Sequence, residues 1–570
     1  MRGRPAPARV VWAESDGLYR YIGIIAGDIA RRAYPGSYVM IWVPGFDETP
    51  MAIASASGDQ IEITVSPPRM GDPSPLHSLS RGDLVGVRGP FGNPIPLRGS
   101  RVLLIGSSHG VSYLKFFSER HRDKIYGAIL VDNGKGVPHL TRLEGLGIDV
   151  RITRNGDDLL RIVSSSIEAI DQAVVCVRED IGREVAKILS KSGVNSYICV
   201  ERPIKCSLGL CGSCDLGIYR TCLEGVFMDI NKILETEYGM WGRDKSGSRV
   251  LIGGSIDKGP GLSERRPDLD PSLSVEIAGL RLPNPLMNAS GCGLSGGILY
   301  RFAMEGAGAI VTKSIGLEPR RGYRGPVLIE YIDRLYMNAL GLPNPGVDGY
   351  AYEIMDAKKA GVPIIGSIFG RNPEEYLEVG KKIYGYGVSA IELNISCPHT
   401  EFEMVEDIPE LVRDIVRSLK RVIDIPVFVK ISANTDYVEV VRKAVEGGVD
   451  GVTAINTLRG FAYDHIFSRP LLGSPNGYGG ISGPFLKPIV RRVIRDIRSE
   501  FNIPIIASGG IDCVEDIVDL LQLGARGFQI CSAIAYKGFS IFREILRDLK
   551  RYMDEKGVKR LEDIIARGSG

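Results

Sequence analysis

Cys206, Cys211, Cys214 and Cys222 stand in the stretch ERPIKCSLGLCGSCDLGIYRTC at the spacing C-x4-C-x2-C-x7-C, with glycines between them. An even set of close cysteines suits a disulfide framework in a small secreted domain. This chain has 570 residues, no apolar leader at MRGRPAPARVVWAE and no apolar run long enough to span a bilayer. The expectation is therefore a soluble cytoplasmic protein with reduced thiols. Clustered thiols then mean metal. Structural zinc usually takes two C-x2-C-like pairs, whereas C-x4-C-x2-C with a more distant fourth cysteine is the plant-type [2Fe-2S] pattern. A [2Fe-2S] cluster is expected, with zinc as the alternative. Gly209, Gly212 and Gly217 suit a loop whose backbone wraps the cluster and turns N–H groups toward its sulfurs. Such a cluster moves single electrons, so redox partners must flank it, and flavins are the first to seek.

A second set of reactive types recurs at the ends of short β-branched runs. NPLMNAS, AIVTKS, PIIGSIFG, AIELNIS, PVFVKIS, GVTAINT, PIIASGG and GFQICSA alternate with helical patterns after residue 272, which predicts a (β/α)8 TIM barrel; an open doubly wound sheet is the alternative. Chemistry in such barrels sits at the strand C-termini. Here those ends carry Ser290, Lys313 with Ser314, Asn394 with Ser396 and Cys397, Lys430, Asn456 with Thr457, Gly509 with Gly510, and Ser532. Two lysines and two asparagines there form a ring of hydrogen-bonding groups around one polar, planar ligand. SGGI permits close backbone approach and CSA opens a helix whose N–H groups favour an anion, so a phosphorylated cofactor, FMN, is expected. Lys430 would lie near its ring and stabilise negative charge there.

The remaining elements position these two sets. The length implies about three or four domains. Lys+Arg 70 against Asp+Glu 68 leaves net +2, which points away from nucleic acid and anionic membranes. Residues 1–99 alternate in short runs, which predicts an antiparallel β-barrel; residues 100–200 read as a Rossmann-like α/β domain. Residues 201–240 form the cluster domain, 241–272 a Gly/Ser/Pro-rich linker, and 273–570 the barrel.

ELNISCPHT, MNALGLPNPG, VTKSIGLEPRRG, GGISGP and SGGI resemble, in order, the signatures of class 1 dihydroorotate dehydrogenases. The resemblance implies oxidation of dihydroorotate to orotate in pyrimidine biosynthesis, with Cys397 as general base. It implies FMN contacts from Ser290, Lys313, Ser314, Asn394, Lys430, Gly483, Gly509, Gly510, Cys531 and Ser532. It implies pyrimidine contacts from Lys313, Asn338, Leu340, Gly341, Leu342, Asn394, Asn456 and Thr457, and a homodimer through the barrel. Two positions depart: His399 replaces the usual asparagine after SCP, and CSA replaces a glycine-threonine turn. Both look like the pyrimidine-reducing domain of dihydropyrimidine dehydrogenase, the alternative on uracil-type rings, whereas NALGLPNPG is typical of dihydroorotate dehydrogenases. A non-catalytic electron carrier or redox sensor is a further alternative.

The N-terminal order of β-barrel, α/β domain and four cysteines resembles the ferredoxin-reductase-like electron-transfer subunit that partners class 1B enzymes, here fused to the catalytic part. In that family the barrel binds FAD and the α/β domain NAD(H), and electrons pass from FMN through the cluster to FAD. Pro50, Met51, Ala52, Gly71 and Ser74 are the matching FAD positions, although Thr49 stands where the family has arginine. The dinucleotide turn departs further: Ser107, Ser108 and His109 add bulk, and VVCVRED lacks the Gly-Pro turn expected under a nicotinamide. The terminal acceptor is left open between NAD, a quinone and a protein carrier.

Overall fold

The computed structural model describes residues 3–67, 74–253, 261–265, 270–395 and 405–567, with side chains to 564. Its first unit is a closed antiparallel barrel whose strands run in the order Ala6–Asp16, Tyr19–Ile25, Gln60–Val65, Glu48–Ser57, Tyr38–Trp42 and Leu84–Phe91. The sequence pattern marked four of these. Ala6–Asp16 and Glu48–Ser57 escaped it because their apolar positions are diluted by charge and by Pro50.

The second unit is a six-stranded sheet in the chain order 3-2-1-4-5-6, built from Val102–Ser107, Ile125–Val131, Val150–Thr153, Gln172–Cys176, Asn195–Cys199 and the antiparallel Phe227–Asp229. That is the Rossmann order, whose ligand crevice lies beyond the carboxyl ends of the first and fourth strands. The helix Gly110–His121 packs on the barrel strand Glu48–Ser57, and its Phe116 enters the barrel's core.

The C-terminal unit contains all eight expected barrel strands: Leu286–Asn288, Ile310–Val311, Ile364–Ile368, Ala390–Asn394, Val427–Ile431, Gly451–Ala454, Ile505–Ser508 and Gly527–Ile530. They pair in parallel with the last beside the first. The Met287–Ala309 bridge joins the first two strands, and the Asn288 amide spans the same gap to the N–H and carbonyl of Val311. Outer helices follow the amphipathic rule. Pro409–Lys420 starts on proline and buries Val412, Ile415, Val416 and Leu419, one face at helical spacing. A four-stranded antiparallel sheet, which includes Leu335–Asn338 and Tyr478–Ser482, lies above the strand ends.

The halves are packed together. Trp42 meets Phe467 edge-on at 5.1 Å within a buried cluster that includes Ile329 and Met337; each such side chain contributes about 1.5–3 kcal/mol on burial. The stretch expected as a linker starts with a hairpin, Trp241–Arg243 with Arg249–Leu251. Arg243 and Arg249 of that hairpin both grip Glu353 of the C-terminal unit, at 2.9 and 2.8 Å. A patterning rule misses this hairpin because its stability comes from ion pairs across the domain junction.

Candidate active site and cluster site

One cleft at the carboxyl ends of the barrel strands is lined by fourteen of the residues singled out above: Ser290, Lys313, Ser314, Asn338, Leu340, Leu342, Asn394, Lys430, Asn456, Thr457, Gly509, Gly510, Cys531 and Ser532. Gly341 and Gly483 do not line it but adjoin Leu342 and Ser482, which do. Cys397 lies outside the described residues. Consecutive strands four, five and six present Asn394, Lys430 and Asn456, and the neighbouring seventh and eighth present Gly509–Gly510 and Cys531–Ser532.

The polar groups are held by one another. Asn394 donates to Ser314 Oγ at 3.0 Å and accepts from Asn456 at 3.2 Å, while Asn338 donates to the Gly480 carbonyl at 3.0 Å. Lys430 donates to Gln529 Oε1 at 2.9 Å and lies 3.4 Å from Ser290 Oγ and from the fully buried Glu392. Glu392 in turn accepts from Gln529 Nε2 at 2.6 Å and Thr453 Oγ1 at 3.1 Å, so the charge beneath the cleft is balanced. Lys313 donates to the Gly291 carbonyl at 2.8 Å. Burial holds its ammonium below its ordinary pKa, offset in part by the Cys211, Cys531 and Cys292 thiols. Glu392 and Gln529 were not anticipated, although a polar residue inside a β-branched strand run is a signal for them.

FMN fits this cleft. Gly509 and Gly510 have φ of +119° and +75°, and a Cβ on Gly510 would stand 3.0 Å from the Gly483 carbonyl oxygen. Only glycines form that turn, and it lies beside Ser532, where bare backbone suits a phosphate. Lys313, Lys430 and the asparagine amides offer the donors a flavin ring and a pyrimidine require.

The four cluster cysteines are all buried and near one another. Cys206 interacts with Cys211 and Cys222, and Cys222 also with Cys214, so the four thiols form one contiguous group that could hold a metal centre. Hydrogen bonds from Cys211 and Cys222 pull the Cys206 thiol well below its ordinary value. The loop is docked by Arg220, which is fully buried, pairs with Asp215 at 2.8 Å and donates to the carbonyls of Gly209 at 2.7 Å and Cys292 at 3.0 Å. Leu210 of this loop forms part of the flavin cleft wall. On its other side Tyr38, in register with Ala52, donates to Ser207 at 3.1 Å. Arg88 joins all three parts, pairing with Glu48 and donating to the carbonyls of Cys206 at 3.0 Å and Leu328 at 3.1 Å. Neither Leu210 nor Arg88 carries a motif, since their roles exist only once the halves have docked.

Pro50, Met51 and Ala52 are half-buried on a strand paired with Tyr38–Trp42; its pairing to Gln60–Val65 starts only at Ile53. That leaves an edge fit for a flat ligand such as FAD. Ser74 Oγ accepts from Leu76 N at 3.4 Å, and Gly71 lies outside the described residues.

A dinucleotide does not fit the Rossmann crevice. At its turn Ser108 has a φ of +48°, and His109 pairs with Glu201 at 3.1 Å. The opposite wall is Glu179, buried against Arg202 at 3.0 Å and pushed up to about 7 by burial. Tyr238 donates to the Cys199 carbonyl at 3.1 Å, and a Cβ on Gly239 would stand 2.4 Å from the Glu179 carbonyl oxygen. The Tyr238–Gly239 segment thus packs on Glu179 at one side of the crevice, and the Glu179 and Glu201 carboxylates stand where a pyrophosphate needs donors.

Among the described residues no helix is long and apolar enough to cross a membrane. The family described as dihydroorotate dehydrogenase matches residues 272–553. The catalytic subunit of dihydroorotate dehydrogenase B (NAD(+)) of Thermoplasma acidophilum is 42% identical over 297 residues, 51% of this chain and 97% of that protein. The subunit of the same name from Methanocaldococcus jannaschii is 41% identical over 301 residues, covering 51% of this chain and 97% of its own length. The one from Pyrococcus furiosus is 42% identical over 299, covering 52% and 98%. A solved structure of ligand-free DHODH from Eimeria tenella aligns at 21% identity and a TM-score of 0.47 over 53% of this chain and 94% of its own. By its 42% identity over 97% of the Thermoplasma acidophilum subunit, together with the family match over residues 272–553, this chain belongs through its C-terminal half to the dihydroorotate dehydrogenase family.

Proposed function

We propose that the chain oxidises dihydroorotate to orotate in pyrimidine biosynthesis and carries its own electron-transfer module, fused N-terminally, with domains at 1–99, 100–200, 201–240, 241–272 and 273–570. The observation that carries this reading is that the wall of the barrel cleft is shared with the four-cysteine loop through Leu210.

The reaction removes a proton from C5 and a hydride from C6, so one ring face needs a base and the other an acceptor. Cys397 takes the proton as thiolate. Asn338, Asn394, Asn456 and Thr457 hold the ring through its imide and carboxylate edges, because amides both donate and accept. Ser290, Ser314, Lys430, the Gly509–Gly510 turn, Cys531 and Ser532 hold FMN, which when bound receives the hydride. Lys430 supplies the cation beside the flavin ring, and Glu392 with Gln529 keeps that cation in place. Cys206, Cys211, Cys214 and Cys222 hold a [2Fe-2S] cluster that supplies one-electron transfer, with FAD beyond it at Pro50, Met51 and Ala52. The bulky turn and the carboxylates Glu179 and Glu201 at the Rossmann crevice favour a quinone or protein carrier over NAD(H) as final acceptor. We place the enzyme in the cytoplasm as a homodimer through the barrel.

The test is anaerobic titration of the purified protein with dihydroorotate, following flavin bleaching and cluster EPR, and then addition of NAD+. Reduction of both centres without reoxidation by NAD+ is expected. NADH formation would overturn the assignment of the acceptor. If dihydroorotate reduces nothing while dihydrouracil does, the uracil-type reading replaces this one.

A further inference from the structure

Glu406 is a buried carboxylate that the reaction above does not use. It lies in the short turn Val405–Asp407, just past the 396–404 stretch, and is 2% exposed. Its Oε1 accepts from the Ser432 hydroxyl at 3.0 Å and faces Arg459 at 3.9 Å, while its Oε2 is buried without a hydrogen-bond partner among the described residues. The charged groups around it among the described residues are Arg459 and Asp407, themselves 3.3 Å apart.

Two routes tie Glu406 to the cleft. Ser432 Oγ accepts from both the backbone N–H and the amide of Asn434, at 3.1 and 2.9 Å, and that amide also donates to the Thr457 carbonyl at 3.2 Å. Arg459 N closes the unit by donating to Asn434 Oδ1 at 2.9 Å. Along the backbone, Glu406 N donates to the carbonyl of Ile395, the neighbour of Asn394, at 3.2 Å. Thr457 and Asn394 both line the cleft.

The protonation state of Glu406 decides how this chain is satisfied. An ionised carboxylate only accepts, so Ser432 gives it its single proton and keeps its lone pairs for Asn434. A protonated Glu406 is a weaker acceptor for the Ser432 hydroxyl and loses its attraction to Arg459, so both ties slacken.

We propose that Glu406 is a positioning residue that gates pyrimidine binding by pH: ionised, it fixes Asn434 and the Thr457 edge of the cleft, and protonated, it releases them. Burial pushes this carboxyl up to about 7, so the two states exchange near neutrality. The inference rests on the proposed function for the identity of the ligand.

The experiment measures the Kd of orotate for the FMN-loaded full chain from the flavin difference spectrum, across roughly two pH units centred on the Glu406 value. Wild-type binding is expected to weaken by about tenfold per unit on the acidic side of that value, where the binding form is lost to protonation. Glu406→Gln places an amide donor against Ser432, mimics the protonated form, and should bind weakly with no pH dependence in this range. Ser432→Ala cuts the same link and should also flatten the profile, which keeps the test decisive if the first variant does not fold. A flat wild-type profile, or a wild-type profile retained in both variants, overturns the proposal. Orotate binding at no pH would instead overturn the parent reading, and this proposal with it.

Discussion

Two turns in this chain share one local grammar, strand then small residues then helix, and they have opposite chemistry. The turn after the seventh barrel strand, Gly509–Gly510, is bare backbone lining an open cleft with Lys313, Lys430 and Ser532. The turn after the first Rossmann strand, Ser107–Gly110, is bulkier and carries an exposed histidine paired with a carboxylate. Topology therefore provides a place where an anion could bind, and the neighbours decide whether it does. Donors and cations make the first an anion seat, and Glu179 and Glu201 make the second inhospitable to one.

The largest effect should come from spoiling the open turn. Gly510→Val puts a side chain at φ +75°, with its Cβ 3.0 Å from the Gly483 carbonyl oxygen. We expect the purified variant to yield no FMN on extraction and no dihydroorotate oxidation while keeping its cluster signal. Full FMN content would remove this turn from the phosphate site. Cys397→Ala should retain flavin yet slow flavin bleaching by dihydroorotate by about 10²–10⁴-fold, the usual contribution of a positioned base. An unchanged bleaching rate would show that another group takes the proton.

A step smaller, Cys222→Ser removes a thiol that faces both Cys206 and Cys214. The cluster EPR signal should disappear, and dihydroorotate should still bleach the FMN. Should FMN reduction vanish as well, the loop's packing against the cleft through Leu210 matters more than its metal.

How much of this could be read from the sequence differs between the turns for the same reason. The eight barrel strands and ten of the fourteen cleft residues follow from periodicity and strand-end chemistry, because a barrel's own closure brings strand ends together; Asn338, Leu340, Leu342 and Cys531 come only from the family resemblance. Gly-rich and Ser-rich turns also look alike as letters, and bulk at Ser107–His109 was visible. Glu201, Tyr238 and Gly239 were not, since they reach the crevice from elsewhere in the chain. The same holds for Arg88, Leu210 and the Arg243–Glu353 pair, whose partners come from other units of the chain.

That pair sets a pH limit on the domain junction. Arg243 and Arg249 hold the Glu353 carboxyl down to about 2, against burial, from an ordinary 4.5. A depressed carboxylate stabilises the fold above its unfolded pKa and loses that contribution as pH falls. Stability should therefore decline between about 4.5 and 2, by on the order of 3 kcal/mol from this group. Glu353→Gln should lower the melting temperature at neutral pH, since breaking a buried pair typically costs about 3–5 kcal/mol, and should flatten the acid limb of the stability profile. An acid limb identical to wild type would assign it to other carboxylates.

The smallest expected effect tests whether charge or bulk bars the Rossmann crevice. Glu201→Gln removes the carboxylate paired with His109 but leaves the Gly110 approach to Cys176, where a Cβ would stand 2.5 Å from the carbonyl oxygen, and leaves the Tyr238–Gly239 segment packed on Glu179. A unit charge at about 4 Å in high dielectric is worth about 1 kcal/mol, so NADH affinity should rise less than about tenfold. Fluorescence titration with NADH should find only weak binding in both proteins. A large gain in the variant would show that charge alone separates the two turns, and the comparison would reduce to electrostatics. Tight binding already in the wild type would mean that the bulky turn gives way, and the acceptor would have to be sought again at this crevice.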